Sequence, residues 1–102
     1  MKKTVLAILI LFTQHVGKAQ TDTISFYIDG GENKVEHKNA SYIRIGIKDK
    51  SYWKVYDLYL NADKIRMKGF CKDDSLKLKE GTCEYYYRSG KLFARRYFIN
   101  GK

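Results

Sequence analysis

The two cysteines are the clearest candidates for covalent chemistry in this chain of 102 residues. Cys71 and Cys83 flank a polar stretch, 72–82, whose residue types favour a turn. Strand alternation places Cys71 on the same face as Gly69, and Cys83 on the same face as Tyr85. If 72–82 connects adjacent strands, the two sulfur atoms face each other and can form a disulfide in an oxidising compartment, worth about 3 kcal/mol. Two free buried thiols are the alternative. We predict the disulfide.

The other ionisable side chains do not form a catalytic pattern. His37 lies in the charged stretch 36–38, which indicates a solvated loop histidine, and no nucleophile is near it in the sequence. Asp73 and Asp74 are adjacent residues of a predicted turn. Two cysteines without a nearby histidine supply half of the ligands that zinc needs. We therefore expect no enzymatic activity, no cofactor and no metal site.

Basic and aromatic residues are interleaved near the C-terminal end of the sequence. Stacking platforms with basic neighbours bind single-stranded nucleic acid, and a basic surface also attracts anionic polymers in a salt-sensitive way. The alternative, which we favour, is that the charges keep a sheet soluble and its edges unpaired. The candidate binding surface consists of Tyr86, Arg88, Lys91, Phe93, Arg95, Arg96 and Tyr97.

The last predicted strand, 92–99, is followed in this sequence only by 100–102. We expect its outer edge to be unpaired. An unpaired edge with apolar side chains can pair with a strand of a protein partner or of a second copy. The candidate contact residues on this edge are Phe93, Tyr97, Phe98 and Ile99.

The elements that must position these side chains are β-strands. Apolar residues alternate with polar ones, as in Ile43, Ile45 and Ile47, and no segment has the 3.6-residue stripe of a helix. The chain contains no proline, which suits an uninterrupted ladder of strands. The sequence predicts an all-β fold, a single antiparallel β-meander of successive hairpins. Its predicted strands are 24–28, 42–47, 52–60, 65–71, 82–87 and 92–99.

Residues 1–19 have the layout of a signal peptide. Lys2 and Lys3 precede the apolar run 5–12, and small residues Gly17 and Ala19 mark a cleavage site. The apolar run is too short to span a bilayer. We expect an exported protein, periplasmic or extracellular, whose folded domain is 20–102 and which has no transmembrane segment after cleavage. Because exported proteins seldom meet nucleic acid, we do not expect a nucleic-acid partner.

A degenerate repeat underlies the strands. A shift of 27 residues places 58–60 on 85–87, Lys64-Ile65 on Lys91-Leu92 and Phe70 on Tyr97. Each unit is an aromatic strand, a tight turn and a second strand that ends in an aromatic residue. This periodicity predicts hairpin repeats near 55–75 and 82–102, which bury their apolar side chains by stacking on each other.

These units resemble the MORN-variant repeat family of bacterial exported proteins. Residues 86–92 read Tyr-Tyr-Arg-Ser-Gly-Lys-Leu, and Tyr97 and Asn100-Gly101-Lys102 complete the unit. Residues 59–65 are a degenerate copy in which Asp63 stands in place of glycine. Residues 24–102 are also similar to the exported N-terminal region ahead of some TonB-type energy transducers.

The resemblance implies a non-catalytic β-repeat protein that acts as an interaction or structural module in the bacterial cell envelope. One alternative is an antitoxin-like, protein-binding module. Another is a basic surface module that binds anionic envelope polymers. The partner we expect is a protein, or a second copy, at the open β edge.

Overall fold

The computed structural model of the chain describes residues 22–102. Six strands form one antiparallel sheet in the order β1-β2-β3-β4-β5-β6, so each strand pairs with its neighbours in sequence. This confirms the predicted all-β meander. The signal peptide predicted at 1–19 lies outside the described residues. The strands are β1 Thr23–Ile28, β2 Tyr42–Asp49, β3 Tyr52–Tyr59, β4 Ile65–Cys71, β5 Gly81–Tyr86 and β6 Leu92–Phe98, with a short 3-10 helix at His37–Asn39.

The β3–β4 and β5–β6 hairpins repeat the same geometry. The β3–β4 register shifts at Asp57/Leu58 and makes Arg66 the extra residue of a bulge, and the β5–β6 register shifts in the same way at Phe93. Arg66 and Phe93 are equivalent positions in the 27-residue repeat. In the turns, Asp63 has φ 53° and its equivalent Gly90 has φ 99°. Asp63 therefore adopts a left-handed backbone at the position where the second unit has glycine.

Alternation along the strands gives the sheet two faces, which we call the first and the second face. On the first face Val55 lies opposite Gly46 and Trp53 opposite Cys71. The second face carries a smaller cluster of Ile45, Ile47 and Leu58, against which Ile43, Tyr56 and Ile65 pack. The main core cluster belongs to the first face and consists of Trp53, Val55, Met67, Cys71, Leu76 and Cys83.

The connection 72–80 between β4 and β5 covers the first face. Leu76 is fully buried and lies so close to Gly46 that a Cβ at that glycine would come within 2.6 Å of the leucine Cδ1. The Asp73 carboxylate accepts hydrogen bonds from the backbone amides of Lys77 at 3.0 Å and Leu78 at 2.9 Å. These hydrogen bonds to the Asp73 carboxylate stabilise the loop conformation in which Leu76 is buried. The sequence predicts that Asp73 lies in a turn.

Between Asp22 and Lys102 there is no helix of the length and apolar character needed to cross a membrane.

Candidate functional site

Strand β6 is the last strand of the sheet, and its outer side is one of the two edges of the sheet. Its inner side pairs with β5 from Gly81 to Tyr86. Over residues 22–102 no strand pairs with its outer side. Three large apolar side chains on or beside this strand are mostly exposed: Phe93 at 58%, Tyr97 at 70% and Ile99 at 59%. These three of the four predicted edge residues are therefore open to contact.

Phe98, the fourth predicted edge residue, has a different environment. It is half-buried, packs against the main core cluster, and has the Lys79 ammonium 5.5 Å from its ring centroid. Alternation turns Phe98 towards the first face, whereas Tyr97 and Ile99 point to the second. Phe98 therefore packs partly on the main core cluster, and its role as an edge contact stays a prediction.

The opposite edge of the sheet is partly covered. The Val35 amide donates a hydrogen bond to the Tyr27 carbonyl of β1 at 3.0 Å, and Lys34 forms a bridge with Ile28. Residues 33–35 thus occupy part of the outer side of β1. Because an exposed edge invites pairing with other chains, folded proteins commonly cover such edges. Strand β6 lacks this cover in the part of the chain that the structure describes.

The predicted basic and aromatic surface is not a single patch. Arg95 lies opposite Glu84 on the second face, whereas Arg96 lies opposite Cys83 on the first face. Arg88 lies near the β5–β6 turn with its guanidinium 4.9 Å from the Tyr59 ring centroid. The seven residues are thus divided between the two faces and a turn. This division follows because side chains at adjacent positions of a strand point to opposite faces.

Glu84 neutralises part of the basic character on the second face. Arg95 Nε donates a hydrogen bond to Glu84 Oε2 at 2.9 Å, and the Tyr86 hydroxyl donates one to Glu84 Oε1 at 2.7 Å. The bond from Arg95 is the main cause that lowers the pKa of Glu84. The bond to Glu84 in turn raises the pKa of Tyr86. Arg96 has no ion pair within residues 22–102, and its guanidinium lies 6.0 Å from the Tyr85 ring centroid.

The aromatic rings near the β5–β6 turn contact each other. Tyr87 and Phe93 make an edge-to-face contact with their centroids 5.0 Å apart. Lys91 is exposed and donates its backbone amide to Ser89 Oγ at 3.4 Å. This geometry is that of a structured hairpin turn with a cation at its tip.

The two cysteines are free thiols, and the predicted disulfide is absent from the structure. Both side chains lie on the first face of the sheet and are buried in the main core cluster. Their register explains the separation. Cys83 lies over Gly69, so close that a Cβ there would collide with its sulfur, while the bridge partner of Cys71 is Lys79. Because the β4–β5 register offsets the two cysteines along the strands, they do not lie directly opposite each other. Desolvation raises the pKa of Cys71 to about 12 and also raises that of Cys83.

His37 is part of a surface stack. It is exposed in the short 3-10 helix, and its ring lies parallel to that of Tyr27 with the centroids 4.4 Å apart. Among residues 22–102 no three histidine, cysteine or acidic side chains are grouped as metal ligands would be.

Sequence reasoning missed a buried charge network on the first face. Arg44 Nε and Nη2 donate to the two carboxylate oxygens of Asp57 at 2.7 and 2.8 Å, across paired positions of β2 and β3. Arg66 Nη1 also reaches Asp57, at 2.8 Å. Glu32 contacts Arg44 at 3.2 Å, and Lys79 contacts Glu32 at 2.6 Å. The β2–β3 register pairs Arg44 with Asp57, and the connections between strands bring Glu32 and Lys79 to them. The polar pair Arg44 and Asp57 inside apolar strands was a signal in the sequence.

The charge network attaches two loops to the sheet. Arg44 Nη1 donates to the Leu76 carbonyl at 3.0 Å and so holds the connection 72–80, while Glu32 belongs to the connection between β1 and β2. Burial alone would raise the pKa of Glu32, but the Lys79 hydrogen bond and the charges of Arg44 and Lys79 lower it to about 2. Burial likewise opposes the charge on Arg44, yet the hydrogen bond to Asp57 raises its pKa. With its donors engaged, Arg44 acts as a structural group.

Two of the concavities formed by residues 22–102 lie on these faces. One, of about 430 Å³, lies beside the charge network and includes Phe26, Glu32 and Leu76 in its lining. The other, of about 320 Å³, lies on the second face between Tyr56, Lys68, Phe70 and Glu84. In the lining of the first, the Ser75 hydroxyl donates a hydrogen bond to the Asp73 carboxylate of the same loop.

No protein-family model, no curated protein and no solved structure matches this chain.

Proposed function

We propose that this chain is an exported, non-catalytic β-repeat protein that acts as an interaction module in the bacterial cell envelope. Its docking element is the outer edge of β6, where an extended segment of a protein partner adds a strand to the sheet. The observation that carries this proposal is an uncovered edge strand with Phe93, Tyr97 and Ile99 mostly exposed beside it. Backbone hydrogen bonds along such an edge supply affinity, and alternate side chains supply specificity.

The repeat geometry supports the same edge. The first hairpin, β3–β4, is continued by β5, which pairs with β4 at Met67/Tyr85 and Lys68/Glu84. The second hairpin, β5–β6, has no such continuation among residues 22–102. Repeat units of this kind bury their apolar surface on the next unit. A partner strand on β6 would occupy the place that β5 occupies on β4.

The alternative of a module for anionic polymers has weaker support. Such a surface needs its cations on one side, and Arg95 and Arg96 lie on opposite faces. Glu84 also neutralises Arg95. An antitoxin-like activity is one form of the protein-docking proposal, since it too requires a surface that binds another protein.

Site-specific photo-crosslinking tests the proposal. The full chain, in cells of the organism that encodes it, carries a photoreactive amino acid at Tyr97 on β6 or, as a control, at Asn33 beside β1. We expect a discrete crosslinked protein, identified by mass spectrometry, at position 97 and not at position 33. The same set of products at both positions, or none at position 97, would remove the proposal.

A further inference from the structure

The equivalence of β4 and β6 predicts the chemistry of the strand that docks on β6. A shift of 27 residues aligns Ile65–Cys71 with Leu92–Phe98. The two strands have the same length, and each has a bulge at its second residue. Strand β4 already has a neighbour on its outer side, namely β5. The contacts between β4 and β5 are therefore a template for the contacts between β6 and its partner.

The template places an acidic residue opposite a basic one on the second face. Lys68 of β4 pairs with Glu84 of β5. The position equivalent to Lys68 in β6 is Arg95, which is 62% exposed. Its hydrogen bond to Glu84 uses Nε, one of the five N–H donors of a guanidinium. Arg95 can therefore bind a second carboxylate from the outer side of the strand.

Beside this charged pair, on the first face, the template places an aromatic residue. Met67 of β4 pairs with Tyr85 of β5. The equivalent of Met67 is Ala94, a small residue that is half-buried. A ring on the partner strand would pack over Ala94 without displacing a large side chain. Opposite charges and aromatic pairs at cross-strand positions are the contacts that stabilise neighbouring strands.

A second copy of this chain does not supply such a strand from its own two edges, because neither β1 nor β6 contains an acidic residue. Its β5 is internal, because β4 and β6 pair with both sides of it. Its β6 contains two arginines and no acidic residue, so pairing β6 with β6 would bring like charges together. We infer that the occupant of the β6 edge is an extended segment of a different protein, with Asp or Glu facing Arg95 and an adjacent aromatic residue over Ala94. This inference rests on the proposed docking function.

A fusion that supplies the missing strand tests the inference. A copy of segment 80–87, with serine at its cysteine position, is attached after Lys102 of the full chain through a flexible Gly/Ser linker of about the length of the 72–80 connection. A matched fusion has lysine in place of the glutamate copied from Glu84. Amide hydrogen exchange at β6, measured by NMR, is the readout. We expect the glutamate fusion to slow exchange at the outward amides of 92–98, about tenfold more than the lysine fusion does.

Charge reversal in β6 separates specific pairing from general attraction. Arg95→Glu is expected to reverse the preference, so that the lysine fusion protects β6 better. Arg96→Glu makes the same change in charge on the other face, and we expect it to leave the glutamate preference in place. Equal effects of the two reversals would overturn the inference in favour of non-specific attraction.

The fusions also distinguish this inference from the docking function itself. Equal protection of β6 by the glutamate and lysine fusions would overturn the acidic specificity and leave docking at β6 intact. No protection of β6 by either fusion would contradict both. Light scattering of the unfused chain adds a further check, since we expect a monomer. Concentration-dependent dimers, with amide exchange at 92–98 that slows as they form, would show that a second copy is the occupant.

Discussion

The Tyr59 hydroxyl donates a hydrogen bond to the Tyr86 carbonyl at 2.8 Å, and the two residues are 27 positions apart. They are equivalent positions in successive hairpins, each the last residue of its strand. The contact therefore joins one repeat unit to the next through the same position of each. The Arg88 guanidinium lies over the ring of the same Tyr59, 4.9 Å from its centroid.

The turn between β5 and β6 has a left-handed backbone at Gly90, and substitution of this glycine tests whether the fold requires that conformation. A methyl group added at Gly90 or at Gly30 would meet no atom within 4 Å, but only Gly90 has a positive φ, of 99°. We expect Gly90→Ala to lower the free energy of unfolding by about 1–3 kcal/mol, because alanine is strained at this φ. Gly30→Ala is the control, with a change of about 0.5 kcal/mol or less. Chemical denaturation measures both, and equal effects would contradict the assigned turn geometry.

The buried ion pair of Arg44 and Asp57 contrasts with an exposed pair in the same sheet. Arg44→Ala leaves the fully buried Asp57 carboxyl group without its main partner. We expect a loss of about 3–5 kcal/mol in the free energy of unfolding. Lys54→Ala removes a pair with Asp49 whose side chains are 41% and 46% exposed, and we expect less than about 1 kcal/mol. Urea denaturation compares the two, and similar losses would show that the charge network does not hold the loops.

The low pKa of Glu32 predicts an acid-sensitive step. A carboxyl whose pKa falls from its ordinary 4.5 to about 2 on folding stabilises the fold above pH 4.5, and that contribution disappears as the pH falls towards 2. The contribution amounts to about 3 kcal/mol. We expect Glu32→Gln to be less stable at neutral pH and to lose less stability between pH 5 and 2.

Denaturation at a series of pH values measures this step, with Glu36→Gln as the control from the same loop. A native-like acid profile in Glu32→Gln would mean that other carboxyls account for the sensitivity. Asp29 and Asp73, whose pKa values are also lowered, keep their contributions in both variants.

The free thiols can be counted. Because burial raises the pKa of Cys71 and of Cys83, few thiolates form in the folded protein at pH 8. We expect an aromatic disulfide reagent to react slowly with the folded protein. After denaturation, we expect the reagent to react with both cysteines of the chain. Absence of reactive thiols in denaturant, restored by a reductant, would show instead that Cys71 and Cys83 form the predicted disulfide.

Local signals in the sequence were sufficient for the strands and for the repeat. Alternation identified β2 around Ile45, and turn residues separated β5 from β6 near Gly90. The substitution of Asp63 for glycine was visible as a departure from the repeat unit, and its left-handed backbone explains how the turn is kept.

Features that depend on pairing register could not be predicted in the same way. The separation of Cys71 from Cys83 follows from the β4–β5 register. The contact of Lys79 with Glu32 depends in addition on the connection between β1 and β2. Burial of Leu76 depends on how the loop 72–80 closes over Gly46. By contrast, the separation of Arg95 and Arg96 onto opposite faces follows from alternation alone, so the sequence could have excluded a single basic patch.

Amide hydrogen exchange of the unfused chain tests the central claim, an open β6 edge, most directly. Amides of an unpaired edge exchange at low free-energy cost, whereas core strands exchange only on global opening. We expect alternate amides of Leu92–Phe98 to exchange rapidly and the amides of β3 to exchange slowly. If every amide of β6 were as slow as those of β3, the edge would already be paired and the account would be wrong.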